Sequence, residues 1–156
     1  MWTYQQLTGN FIDPNASIEG KCYAGGECGL RPDAVNNPSM EGIVSVGPIP
    51  AGNYVADWQV AMHPKLGQYV IHLAPDTATR AKIIAYGRDP DSFFFHGDDI
   101  AKAGQRAGSD GCIVGARNVR VDFWAKPFTG GVPDHDLQVV SGIPEVETDP
   151  DAETAA

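Results

Sequence analysis

The sequence predicts a mainly β domain with little helix and long loops. Eighteen glycines and twelve prolines fall within 156 residues, and both residue types break helices and serve turns. Apolar stretches recur along the chain, and Gly, Pro, Asn or Asp bounds most of them. Hydrophobic residues make up 42% and charged residues 20%. That balance supports a real core in a chain of ordinary single-domain length.

Trp2 to Tyr4 with Leu7 reads as a first strand, and Thr8-Gly9-Asn10 as its turn. Phe11 and Ile12 start the return strand, which Asp13-Pro14-Asn15 stops. Ser17 to Tyr23 reads as a third strand. Gly25 to Ser39 is rich in Gly, Pro and Asn and predicts a long loop, a length that usually carries function or mobility. Gly47-Pro48-Ile49-Pro50-Ala51-Gly52 is a rigid turn before the alternating strand Asn53 to Ala56. Gln68 to Leu73 is the next strand. Pro75-Asp76-Thr77 caps a helical turn reaching Ala81, after which Lys82 to Tyr86 has strand character. Phe93 to His96 and Cys112 to Val114 are short strands. Val119 to Trp124 fits either helix or strand, and Leu137 to Val140 is a last strand. Residues 1–142 are expected to form one folded unit, and 143–156 an acidic, disordered tail.

The formal net charge of −9 argues against nucleic acid or an anionic membrane surface as partner, since Lys and Arg drive binding to both. No apolar run is long enough to predict a membrane span. The opening MWTYQQLTGN lacks a charged region followed by an apolar one, so a protein made in the cytoplasm without a cleaved signal is expected. Cys22 and Cys28 lie close in CYAGGEC and Cys112 stands apart. The close pair fits a disulfide if the protein works outside the cytoplasm, and three free thiols otherwise. Neither a metal nor a cofactor is expected, because no histidine sits at ligand spacing from the cysteines.

Chemistry concentrates between Ser92 and Val114, SFFFHGDDIAKAGQRAGSDGCIV. An apolar run ends on His96, and a polar loop leads to Ser109-Asp110-Gly111-Cys112 and the apolar pair Ile113-Val114. Strands paired in one sheet would bring His96 to Cys112. A thiol beside an imidazole is the minimum equipment of a cysteine nucleophile. Alone, His96 reads equally well as a core histidine and Cys112 as a small buried hydrophobe. Their surroundings favour the pair. Gly97 permits an abrupt turn, and Gly111 leaves the approach to sulfur open. Ser109 and Asp110 offer polar groups to orient an imidazole or meet a developing oxyanion, as do the backbone N–H groups near Gly111. His72, in QYVIHL, is a candidate for the pocket wall, although a strand histidine is more often structural. His63 and His135 read as exposed, and Trp58 and Trp124 as core-edge aromatics.

A histidine followed by a loop and Ser-x-Gly-Cys-apolar resembles the signature of L,D-transpeptidases (YkuD-type). Trp2-x-Tyr4 with Thr8-Gly9, Asn37-Pro38-x-Met40, the turn Gly47 to Tyr54 and His96-Gly97-Asp98 look like the small L,D-transpeptidase-related effectors of type VI secretion systems. The resemblance covers roughly the first three-quarters of the chain. It implies an L,D-transpeptidase-like β-sandwich or barrel acting on peptidoglycan stem peptides. Cys112 would attack the carbonyl between diaminopimelate and the terminal D-amino acid. His96 would serve as general base and then acid, oriented by Ser109 or Asp110. Asp99 is a further candidate in the His-x-x-Asp spacing, and either Asp98 or Asp99 can equally be a solvated loop carboxylate.

The resemblance also implies a monomer delivered by secretion machinery into a target periplasm, with an immunity protein in the producer. The sequence departs from the family at Asp110, where most members have a second histidine, and at Val114, where many have an arginine. Carboxylate recognition then falls to Arg88, Arg106 or Arg117. Tyr23 and the Gly25–Gly29 loop are candidates for a lid. The rival expectation is a module on the same fold that holds cell wall without catalysis.

Overall fold

In a computed structural model, residues 1–99, 101 and 105–144 are described. The chain is mainly β. Nine strands form one sheet curled into a nearly closed barrel. They are β1 (Trp2–Gln5), β2 (Asn10–Ile12), β3 (Ile18–Lys21), β4 (Tyr23–Ala24), β5 (Gly52–His63), β6 (Gly67–Pro75), β7 (Phe94–His96), β8 (Ile113–Val114) and β9 (Asp136–Val140). The two helices are α1 (Thr77–Ala85) and α2 (Arg117–Ala125). The spatial order is β3-β2-β1-β9-β5-β6-β7-β8-β4.

The curl follows from the chain itself. β3 and β4 are the two edges of the sheet, yet only Cys22 separates them in sequence. A flat sheet would hold these edges eight strand spacings apart, so it must bend back on itself. Cys22 is buried at this junction, and its N–H donates to the Gly9 carbonyl at 2.7 Å.

Aromatic rings fill the interior. Phe11 on β2 meets Phe95 on β7 at 4.8 Å between centroids, across the barrel. Phe123 of α2 stands edge-on to Phe11 at 5.2 Å and to Trp2 at 5.4 Å. Each such side chain contributes about 1.5–3 kcal/mol by burial, with a smaller gain from edge-to-face geometry.

Three local expectations change, and one open alternative is settled. The strand character of Lys82 to Tyr86 gives way to helix, because α1 runs on to Ala85. Asp76 caps α1, accepting from the Thr79 N–H at 2.8 Å. Ile83 is buried while the adjacent Ile84 is exposed, so helical burial of one isoleucine outweighs the β preference of two. β5 extends seven residues past Ala56 to His63, with a register shift between Ala56 and Trp58. The third strand divides at Cys22. Val119 to Trp124 is helix. The acidic tail expected over 143–156 lies, from residue 145 on, outside the described residues.

The long loop from Gly25 is pinned rather than free. It holds three 3-10 turns, at Glu27–Gly29, Pro32–Ala34 and Pro38–Met40. The Asn36 side-chain oxygen accepts from Tyr4 Oη at 3.1 Å and from the Ala24 N–H at 3.0 Å.

Candidate active site

β7 and β8 run parallel, with Phe95 opposite Ile113 and His96 opposite Val114. Phe95 and Ile113 are fully buried in the core, so the alternate residues take the other face. Phe94 and His96 lie on that face, and Cys112 stands one residue before β8.

His96 is 3% exposed. Its Nδ1 donates to the Gly97 carbonyl at 2.7 Å, which leaves Nε2 as the basic nitrogen. Nε2 makes no hydrogen bond among the described residues. Burial lowers the imidazole's pKa, with the Gly97 carbonyl opposing, so the resting ring is neutral near pH 7. The orienting group is thus the Gly97 backbone, not Ser109 or Asp110. A Cβ on Gly97 would stand 2.9 Å from Arg120 Nη2. Arg120 donates to the carbonyls of Gly115, Gln68 and Tyr69 and ties the strand ends below His96.

Cys112 is 6% exposed. Its thiol lies against the Ser92 carbonyl at 3.5 Å. Burial, reinforced by the Asp110 carboxylate, pushes it up to about 12, against the pull of the Phe94 N–H and of Arg88. The resting pair is therefore thiol and neutral imidazole, not thiolate and imidazolium.

Ser109 shapes the turn that presents Cys112. Its hydroxyl donates to the Cys112 carbonyl at 2.6 Å and accepts from the N–H groups of Gly111 and Gly25, both at 3.0 Å. Ser109 Oγ and the Gly111 N–H are both committed there, so neither is free to meet an oxyanion in the resting structure. Gly111 has φ 154°, and a Cβ there would stand 2.4 Å from Arg88 Nη2.

Arg88 is the buried cation beneath this turn. It donates to the carbonyls of Glu41 (2.6 Å), Pro48 (2.9 Å), Gly47 (3.0 Å) and Asp110 (3.3 Å), and lies 5.0 Å from the Phe93 ring. Four carbonyls satisfy its protons without cancelling its charge, which therefore acts on Cys112. Of the three arginine candidates, only Arg88 lies beside the sulfur. Arg106 lines a separate depression with Thr8 and Asn36, and Arg117 donates to Gln68 Oε1 at 2.8 Å.

The other candidates divide. Asp110 is exposed on the rim, and its carboxylate makes no hydrogen bond among the described residues. Asp99 is exposed and accepts from the Ala101 N–H at 3.0 Å, as a turn cap. Asp98 accepts from Tyr23 Oη at 2.6 Å, and Tyr23 Oη accepts from the Gly108 N–H at 2.9 Å. Tyr23 thus straps the loop between His96 and Cys112, and is not a lid. His72 lines neither of the two cavities beside Cys112 and His96. Its Nδ1 pairs with Asp57 at 2.7 Å, its Nε2 with the Asp91 carbonyl at 2.9 Å, and its ring stacks on Trp58 at 5.0 Å.

Two cavities lie side by side. One, of about 440 Å³, is lined by Cys112, Gly111, Asp110, Arg88, Phe93 and His63 among others. The second, of about 480 Å³, is lined by His96, Gly97, Asp98, Asp99 and Cys28 among others. Lys65 and Leu66, from the turn between β5 and β6, line both. His63 Nδ1 accepts from the N–H groups of Lys65 and Leu66, each at 3.1 Å, and fixes that turn. The sequence reading took His63 as an exposed loop residue and Cys28 as a disulfide candidate, and placed neither of them, nor Lys65, at the site. His63 and Lys65 lie far from the motif in sequence and are carried to it by the unforeseen length of β5. Cys22 and Cys112 are buried free thiols and Cys28 is exposed. Among the described residues no group of three or more His, Cys, Asp or Glu could hold a metal ion, and no helix is long and apolar enough to cross a membrane. No protein-family model, curated protein or solved structure matches the chain.

Proposed function

We propose that the chain is a cysteine-dependent acyl-transfer enzyme of the L,D-transpeptidase kind, acting on the terminal D-amino acid of peptidoglycan tetrapeptide stems. The observation that carries this is the placement of His96 at the end of β7 and of Cys112 one residue before the paired strand β8, each lining one of two cavities that share Lys65 and Leu66. The thiol rotates from the Ser92 carbonyl toward Nε2 of His96, which takes its proton. The sulfur attacks the scissile carbonyl, the C–N bond breaks, and the imidazolium returns the proton to the departing amine. Water then cleaves the thioester (L,D-carboxypeptidase), or an amine replaces it (L,D-transpeptidase). Arg88 supplies positive charge beneath the developing anion. In this proposal the protein is an antibacterial toxin that reaches a neighbour's periplasm through a secretion system and is restrained in its producer by an immunity protein.

The test is incubation with disaccharide-tetrapeptides, with and without a free D-amino acid, read by mass spectrometry beside Cys112→Ala. Loss or replacement of D-alanine that depends on Cys112 is the expected result. Equal product from Cys112→Ala would end the cysteine mechanism.

One observation favours a second reading, a module that holds cell wall without catalysis. The thiol is buried, protonated and turned to a carbonyl. That reading predicts retention on peptidoglycan sacculi with no product released.

A further inference from the structure

We propose that Lys65 binds the carboxylate of the amino acid that leaves or enters on the His96 side of the cleft, and so selects the amine partner of the reaction. The inference rests on the acyl-transfer reading above. Lys65 and Leu66 form the boundary between the Cys112 cavity and the His96 cavity. A carbonyl attacked by Cys112, with its nitrogen served by His96, must lie across that boundary. Its acyl part then occupies the Cys112 side and its amine the His96 side. An amino acid bound by its amine beside His96 carries its carboxylate a few ångströms further along the same wall, where Lys65 stands.

Charge selects Lys65 among the cations. Its ammonium makes no hydrogen bond or ion pair among the described residues, whereas Arg88 is committed to four carbonyls. The other titratable groups of known placement on the His96 cavity are Asp98, Asp99, His96 and Cys28. Without Lys65, an entering carboxylate meets two aspartates and a neutral imidazole. The backbone that carries the Lys65 side chain is fixed, since His63 holds the turn. The step balances without a further reactant. The amine nitrogen attacks the thioester carbonyl, the C–S bond breaks, and the proton lost by the amine passes through His96 to the Cys112 sulfur. The products are an amide and a thiol.

The experiment compares a free D-amino acid with its carboxamide as the amine in exchange, for the wild type, Lys65→Ala, Lys65→Gln and Lys65→Arg. A charge-assisted contact predicts an acid-over-amide preference of about tenfold to a hundredfold in kcat/KM, expressed in KM. The preference should vanish in Lys65→Ala and Lys65→Gln and persist in Lys65→Arg. The rate of Cys112 alkylation and the melting temperature should not change in Lys65→Gln, which excludes a merely structural effect. Full preference in Lys65→Ala overturns the role of Lys65 while leaving the enzyme intact. No Cys112-dependent product from the wild type overturns the acyl-transfer reading, and this one with it.

Discussion

Cys112 stands one residue before β8, which runs parallel to the strand that ends on His96, and its resting thiol contacts the Ser92 carbonyl and not the imidazole. Strand pairing sets the two on neighbouring segments, and burial holds the thiol protonated.

Alkaline pH should expose this burial. Both Cys22 and Cys112 are pushed up to about 12 from a reference value of 9.0. The folded state then holds protons that the unfolded state releases above pH 9. Stability from these thiols is complete below pH 9 and falls as pH rises toward 12, by at most about 1.4 kcal/mol per pH unit per thiol. Urea denaturation from pH 8 to 10.5 should show the decline, and Cys22→Ala with Cys112→Ala should flatten it. An unchanged slope in the double variant would place the alkaline sensitivity elsewhere.

Ser109→Ala should destabilise the fold by about 1–3 kcal/mol, since it strands buried backbone groups of Gly25, Gly111 and Cys112. Activity per folded molecule should fall too, because the turn presenting the sulfur loosens. Urea titration paired with turnover of the folded fraction separates the two losses.

Arg88→Met should cost about 3 kcal/mol or more, by leaving four carbonyls facing a buried apolar chain. Arg88→Lys should recover only part of it, because one ammonium cannot reproduce the planar fork. Thermal melts of the three proteins decide the point. A lysine variant as stable as wild type would show that charge alone suffices there.

His72→Phe should separate stability from catalysis. It keeps the ring beside Trp58 and Phe94 but loses the contacts with Asp57 and the Asp91 carbonyl. A loss of about 1–3 kcal/mol is expected, with kcat changed less than tenfold. A larger fall in kcat at full folding would return His72 to the site.

The mainly β class was legible because turn residues punctuate this chain at short intervals. The strand ends at His96 and Cys112 were legible because apolar runs stop there against glycine and polar residues. Helix α1 was only half legible. Two adjacent isoleucines read as strand until the buried position of Ile83 and the exposed one of Ile84 are known. Roles were harder than positions. Ser109 lay beside the cysteine in sequence and looked catalytic, yet its three partners are backbone groups, one of them distant in the chain.

What the sequence determined by itself is composition, punctuation and the neighbours of each reactive residue. Those suffice for a β fold with a histidine and a cysteine at strand ends. Tertiary structure alone decided which groups face them, since that depends on register and on elements remote in sequence. The parallel register of β7 and β8 set His96 opposite Val114, two residues past Cys112. The extension of β5 carried His63 and Lys65 to the cleft. Arg88 became the cation under Cys112, while Arg106 and Arg117 turned elsewhere. Side-chain direction follows from the closing of the sheet, and the physical reason is that a buried charge settles only where enough carbonyls converge to satisfy it.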